Sequence, residues 1–180
     1  QWTMSHFRIS FLLDNGKVAT FPFHKRTQNT MMTTAIDTAL IYSHLDEQYV
    51  SVVASGLRTF TLRKDRTKIL CHGNNGDGKT AELHIPGLPD VQIDQIYTGD
   101  NLLIVSCQNF SVYAINTKSG APVAQQVNLG DLTGKPIRKI HVGGMFLIVE
   151  IHNFESTLPE GAPYSGDLHC VPLEDGCKLP

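Results

Sequence analysis

Residues 91–130 read VQIDQIYTGDNLLIVSCQNFSVYAINTKSGAPVAQQVNLG. The apolar runs VQIDQIYT, LLIVSCQ, FSVYAIN and the weaker APVAQQV are separated by turn residues, at Gly99–Asn101 and again at Thr117–Gly120. Short runs rich in β-branched and aromatic residues, joined by tight turns, predict consecutive antiparallel strands rather than helix or crossover units. This stretch is therefore a four-stranded meander. The rest of the chain is read against it.

Composition permits such a fold throughout. The 180 residues are 41% hydrophobic and 18% charged, which is globular, and Gly 15 with Pro 9 supply turns for many short strands. A formal net charge of -2 offers no global attraction to DNA, RNA or anionic lipid. No apolar run is long enough to span a bilayer, and the first residues show no leader pattern or initiating Met, so the expectation is a chain that starts mid-protein or after processing. Of Cys71, Cys107, Cys170 and Cys177, two sit inside apolar segments where a thiol behaves as a small hydrophobe. A reducing, intracellular compartment, cytoplasmic or nuclear, is expected. The sequon Asn109-Phe110-Ser111 has meaning only in a secreted protein.

In chain order, HFRISFLLD, Asn15-Gly16 and KVATFPF form a hairpin, with Asn-Gly as a two-residue turn. The basic cluster His24, Lys25, Arg26 follows as a solvated turn, and the Thr- and Met-rich stretch 27–39 is taken as strand. ALIYSHL and YVSVVAS flank the polar Asp46, Glu47 and Gln48, which repeats the pattern of run, turn, run. LRTFTLRK and TKILCH continue it. Further on, IRKIHVGG is a first strand with its turn, and the continuous apolar side of MFLIVEIHNF predicts burial on both faces. ESTLPEGAPYSG is an exposed excursion in which Glu155, Pro159 and Tyr164 are candidate partner contacts.

One motif points elsewhere. GNNGDGKT, residues 73–80, matches the phosphate-loop pattern G-x-x-x-x-G-K-[ST], with Gly73, Gly78, Lys79 and Thr80 as its defining residues. That chemistry requires backbone amides around a phosphate and a helix whose amino terminus faces the anion. After Thr80 only Ala81, Glu82, Leu83, His84 and Ile85 precede Pro86, too few for such a helix. Residues 74–78 are accordingly read as a loop between KILCH and TAELHI, and no cofactor is expected.

SVYAINTKSGAPVAQQV resembles the third strand, turn and fourth strand of a WD40 repeat, and is similar to quinoprotein-type repeats in its VYAIN strand. It departs from the first pattern where Ile115 and Asn116 replace Trp-Asp and no Gly-His pair precedes, so that family's buried hydrogen-bond network is not carried over. With KVATFPF, GLRTFTL, FSVYAIN and GDLHCVPL aligned as third strands, Val18, Leu57, Val112 and Leu168 stand about 39, 55 and 56 residues apart. The implied fold is an all-β, WD40-like propeller of about four irregular four-stranded blades, at 1–34, 35–90, 91–130 and 131–180, as part of a larger propeller. The first blade lacks a strand in this reading and the last is truncated.

Catalytic patterns are wanting: there is no H-E-x-x-H, C-x-x-C or nucleophile elbow, and neighbouring His169 and Cys170 would face opposite sides of a strand. The expected function is a non-catalytic scaffold for a protein partner in a larger assembly. The rival readings are an RNA-associated propeller, with Arg138 and Lys139 as contacts among the basic residues Arg63, Lys64, Arg66, Lys68 and Lys135, or a nucleotide-binding protein using residues 73–80.

Overall fold

The computed structural model describes residues 1–5, 8–22, 40–42, 48–56, 58–72, 80–99, 101–118, 122–151 and 167–173. Their strands form four antiparallel sheets. The first holds β1 (Trp2–Met4), β2 (Arg8–Leu12), β3 (Val18–Pro22) and β4 (Leu40–Tyr42), and the second β5 (Tyr49–Ser55), β6 (Arg58–Arg63), β7 (Ile69–His72) and β8 (Thr80–Glu82). The third holds β9 (Ile93–Gly99), β10 (Leu102–Cys107), β11 (Val112–Asn116) and β12 (Ala124–Gln126), and the fourth β13 (Ile137–Val142), β14 (Phe146–Ile151) and β15 (Asp167–Pro172). Every strand pairs with its neighbour in sequence, and the first strands of successive sheets touch, β1 with β5, β5 with β9 and β9 with β13. Sheets stacked face to face around converging first strands make a β-propeller arc.

Strand β10 shows why the arc holds together. LLIVSC is buried at every position because its two faces enter different cores. Leu102 and Ile104 join Leu147, Val149 and Val171 of the fourth sheet, while Leu103 and Val105 join Phe60 and Leu62 of the second. A smaller cluster of Val18, Tyr49, Val52 and Leu70 joins the first and second sheets. At about 25 cal/mol per Å² of apolar surface, these junctions are the main favourable term.

Several sequence expectations need correction. The Asn15-Gly16 hairpin exists, but Leu13 N–H donates to the Lys17 carbonyl and Gly16 N–H to the Leu13 carbonyl, with Gly16 at φ 76°, which makes a three-residue loop rather than a two-residue one. The first sheet has its full set of strands, because the short WTM segment adds β1 at its inner edge. ALIYSHL and YVSVVAS belong to different sheets: β4 pairs with β3, through Val18↔Tyr42, and β5 pairs with β6. Thus the first sheet extends beyond the 34/35 boundary. GLRTFTL is the second strand of its sheet and β7 the third, since local alternation records that a segment is a strand but not its place in the meander.

The expectation for MFLIVEIHNF also fails on one side. In β14 Leu147, Val149 and Ile151 are buried, whereas Phe146 is 42% exposed and Ile148 and Glu150 are half-buried. Among the described residues no sheet lies against the second face. The stretch 27–39 and the basic cluster at 24–26 lie outside the described residues.

Turn chemistry yields one prediction. Cys107 N–H bonds to the Ser111 carbonyl and Phe110 N–H to the Cys107 carbonyl, closing the β10–β11 hairpin with Phe110 at φ 64°. A bulky L-residue is strained there, and Phe110 is 40% exposed. Phe110→Gly is expected to raise stability by about 0.5–1 kcal/mol, the relieved strain exceeding the glycine's entropy cost. A drop in the urea midpoint would show instead that the ring's packing outweighs the strain.

Candidate functional site

Among the described residues each first strand pairs on one side only, so its other edge would leave N–H and C=O groups open toward the centre of the arc. Side chains of the neighbouring blade occupy several of them. Val52 N–H donates to Gln1 Oε1 at 3.4 Å and Ala54 N–H to Thr3 Oγ1 at 3.1 Å, while Thr98 Oγ1 donates to the Ala54 carbonyl at 3.0 Å. At the end of the strands the pattern repeats from blade to blade. Ser5 Oγ donates to the Gly56 carbonyl at 2.8 Å and Ser55 Oγ to the Gly99 carbonyl at 2.9 Å, with Asn101 N–H donating to Ser55 Oγ at 3.0 Å. Gly99 is required by proximity, as a Cβ there would lie 2.8 Å from Val142 Cγ1.

Between these strands runs a groove. Its wide end, about 770 Å³, is bordered by Gln1, Thr3, Arg66, Asp94, Gln95, Arg138, Lys139 and His141. Its narrow end, about 590 Å³, is bordered by Ser5, Ser55, Gly56, Gly99, Gly143 and Gly144. Thr3, Thr98 and Val142 line both parts, which makes the groove continuous. On its wall Tyr97 spans two blades, with Ser106 and the Ile140 backbone as hydrogen-bond partners.

Burial pushes the Tyr97 phenol up to about 12. Since the folded value lies above the unfolded one, the associated stability is intact below about pH 10 and is lost as pH rises through 12. In an alkaline titration at 295 nm a late tyrosinate step is expected, and Tyr97→Phe should remove it. A titration in which all tyrosines ionise together near 10 would contradict the buried setting.

The basic residues singled out in the sequence do not form one patch. Arg63 pairs with Asp65 at 2.5 Å, Arg66 with Asp94 at 3.4 Å, Lys68 with Glu82 at 2.8 Å and Arg138 with Glu150. Lys64 donates to Gln48 Oε1 at 2.8 Å. Arg138 and exposed Lys139 stand together at the groove mouth, whereas Lys135 is exposed ahead of β13. A phosphate at Arg138 would compete with the Glu150 carboxylate already there.

Thr80 opens β8, which runs antiparallel to β7 through His72↔Thr80, so residues 73–79 join adjacent strands of one sheet. Gly73, Gly78 and Lys79 lie outside the described residues, as do Glu155, Pro159 and Tyr164. His169 and Cys170 project to opposite faces: His169 Nε2 is buried, Cys170 is exposed. Among the described residues no group of three His, Cys, Asp or Glu side chains could hold a metal ion, and no helix is long and apolar enough to cross a membrane.

Two features escaped sequence reading. The inter-blade hydroxyl contacts of Thr3, Ser5, Ser55 and Thr98 depend on a neighbouring strand far away in sequence; the only local trace is the Ser55-Gly56 pair, which looks like an ordinary turn. The other is a buried polar set between the first two blades. Ser10 Oγ lies 2.8 Å from Thr20 Oγ1 and 3.2 Å from Thr59 Oγ1, and Thr61 Oγ1 lies 2.8 Å from His72 Nε2.

Cys107 offers a second check on this geometry. It is 2% exposed, and burial raises its thiol pKa, so alkylation in the native protein is expected to be negligible and to appear only with unfolding. Rapid native modification at Cys107 would refute the packing of β10.

Comparison with known proteins places the fold. No protein-family model matches the chain, and no curated protein matches it. Solved structures do. Yeast RCC1 (Prp20), solved bound to Kap60, overlays with a TM-score of 0.60 at 14% identity, over 96% of this chain and 48% of its own. The CRINKLY WD40 ectodomain of the Arabidopsis thaliana receptor kinase ACR4 overlays with a TM-score of 0.54 at 15% identity, over 92% and 50%. The computationally designed Ika4 protein overlays with a TM-score of 0.59 at 9% identity, over 96% and 89%. The chain therefore spans about half the length of the two natural propellers it resembles. At these identities the likeness concerns the β-propeller fold.

Proposed function

We propose that this chain is a non-catalytic propeller scaffold that engages a protein partner along the groove bordered by β1, β5, β9 and β13. The observation that carries the reading is the chemistry of the groove mouth. It combines hydrogen-bonding Gln1 and Gln95 with the charged Arg66–Asp94 and Arg138–Glu150 pairs, Lys139 and His141. A polar rim on a rigid all-β frame suits recognition of another protein. The structure of Prp20 bound to Kap60 supports the idea that such a frame can carry a protein partner. WD40-like blade grammar and an intracellular setting belong to the same proposal, the latter supported by the free thiols Cys107 and Cys170.

The test is cross-linking mass spectrometry on the native assembly, followed by Lys139→Glu with His141→Glu, both residues being exposed at the mouth. Cross-links from the mouth and a tenfold or greater loss of partner affinity, with an unchanged far-UV spectrum, are expected. Unchanged affinity would reject the groove as the site. An RNA backbone bound there would instead give affinity that falls steeply with salt and weakens in Arg138→Ala with Lys139→Ala.

A further inference from the structure

The second and third blades carry matching turns between their second and third strands, and one residue there differs. In the β6–β7 turn Arg66 N–H donates to the Arg63 carbonyl and Thr67 N–H to Asp65 Oδ1, with Arg66 at φ 60°. In the β10–β11 turn Phe110 N–H donates to the Cys107 carbonyl and Ser111 N–H to Asn109 Oδ1, with Phe110 at φ 64°. Arg66 and Phe110 therefore hold equivalent places, each beside the first strand of the next blade.

Arg66 closes its junction. Its carbonyl accepts from Ile93 N–H at 2.9 Å, and its guanidinium donates to the Ile93 carbonyl at 3.5 Å, to the Asp94 carbonyl and to Asp94 Oδ1 at 3.4 Å. In the fourth blade Ile137 stands where Ile93 does, each just before the extra residue of a bulge, Arg138 or Asp94. Yet among the described residues no bond joins Ile137 N–H to the Phe110 carbonyl. A cavity of about 400 Å³ lies there, bordered by Asp94, Cys107, Gln108, Phe110, Pro136 and Ile137. At one junction the chain supplies a guanidinium; at the next it leaves the space open.

The cavity's chemistry selects its guest. Among the described residues that border it, Asp94 is the one ionised side chain, and its carboxyl side chain is 52% exposed. Arg66 reaches one of its oxygens at 3.4 Å, longer than the about 2.7–2.9 Å of a full charge-assisted bond, so the carboxylate can accept a second donor. Phe110 is 40% exposed and offers a ring face beside it. A planar guanidinium forks onto a carboxylate and stacks on an aromatic ring, which a compact ammonium does less well. Phe110 also keeps a strained backbone, as residues at ligand clamps do.

We infer that this cavity is a recognition pocket for an arginine side chain of a partner protein, its guanidinium held by Asp94 and stacked on Phe110, an external counterpart of Arg66. Asp94 borders the groove as well, so the arginine belongs to the partner proposed there, on which this assignment rests.

The pocket can be tested before the partner is known, by titrating the isotope-labelled chain with N-acetyl-arginine amide and following backbone amides by NMR. Saturable shifts at Asp94, Gln108, Phe110 and Ile137 are expected, with a dissociation constant on the order of 1 mM. N-acetyl-citrulline amide, the neutral isostere, should give none. Asp94→Asn should weaken arginine binding about fivefold. Since that change also touches the Arg66 junction, Phe110→Arg serves as the second variant: it fills the cavity from within, so it should abolish the shifts and raise the urea midpoint. Absence of saturable shifts, equal binding of citrulline, or shifts that survive in Phe110→Arg would each overturn the pocket. Lys139→Glu with His141→Glu, which tests the groove, should leave this titration unchanged, so failure of the groove and failure of the pocket are told apart.

Discussion

Phe60→Ala is expected to lower the unfolding free energy by about 3–5 kcal/mol, read from urea denaturation. Phe60 is 0% exposed on β6, in the cluster that joins the second and third blades through Leu103, Val105, Tyr113 and Ile115. Removing the ring forfeits its transfer free energy and leaves a cavity that the flanking strands, fixed by their hydrogen bonds, cannot close. Against a net stability of about 5–15 kcal/mol, that is a large fraction. Because each blade contacts mainly its neighbours, the loss falls on one junction, and the unfolding slope is expected to flatten as the two halves of the arc uncouple. A loss below about 1 kcal/mol would mean that this junction is not the principal core.

His72→Ala is expected to cost about 2–4 kcal/mol. His72 is 0% exposed on β7, bonded through Nε2 to Thr61 Oγ1, and its ring meets Tyr49 edge-on, with centroids 6.0 Å apart at 89°. The substitution removes packing and leaves the buried Thr61 hydroxyl without that partner. Thr61→Val keeps the shape but abandons His72 Nε2, at a cost of about 1–3 kcal/mol. If the pair acts as a unit, the double variant should be more stable than the sum of the single losses implies, by about 1–2 kcal/mol. Strict additivity would show that the 2.8 Å contact contributes packing alone.

Both experiments address blade junctions, which is where the sequence and the structure part company. Within a blade the chain was readable. VQIDQIYT, LLIVSCQ, FSVYAIN and APVAQQV correspond to β9, β10, β11 and β12. The double-faced burial of LLIVSC also has a local signature, an unbroken apolar run. MFLIVEIHNF carries the same signature, yet among the described residues β14 is covered on one side only, since burial of the second face depends on whether another sheet lies there. Likewise, RTFTLR alternates like any half-buried strand, yet it is a second strand and not a third.

The candidate site was less legible. Arg138 and Lys139 do stand at the groove mouth, but nothing local announces that Glu150, across the strand pair, already occupies Arg138, or that Asp94 of the next blade occupies Arg66. Ser5 and Ser55 resemble turn residues until the strand edge of the adjoining blade is brought beside them.

By itself the sequence determined that the chain is all-β, that its strands follow one another as antiparallel meanders, and where the clearest of these begins and ends. Such information is local: alternation, β-branching and turn residues act within a few positions. Only the tertiary structure decided the phase of each blade, the polar junction of Ser10, Thr20, Thr59, Thr61 and His72, and the groove between first strands. Each of these depends on which surface meets which, and contacts between residues more than forty positions apart leave no periodicity in the chain that makes them.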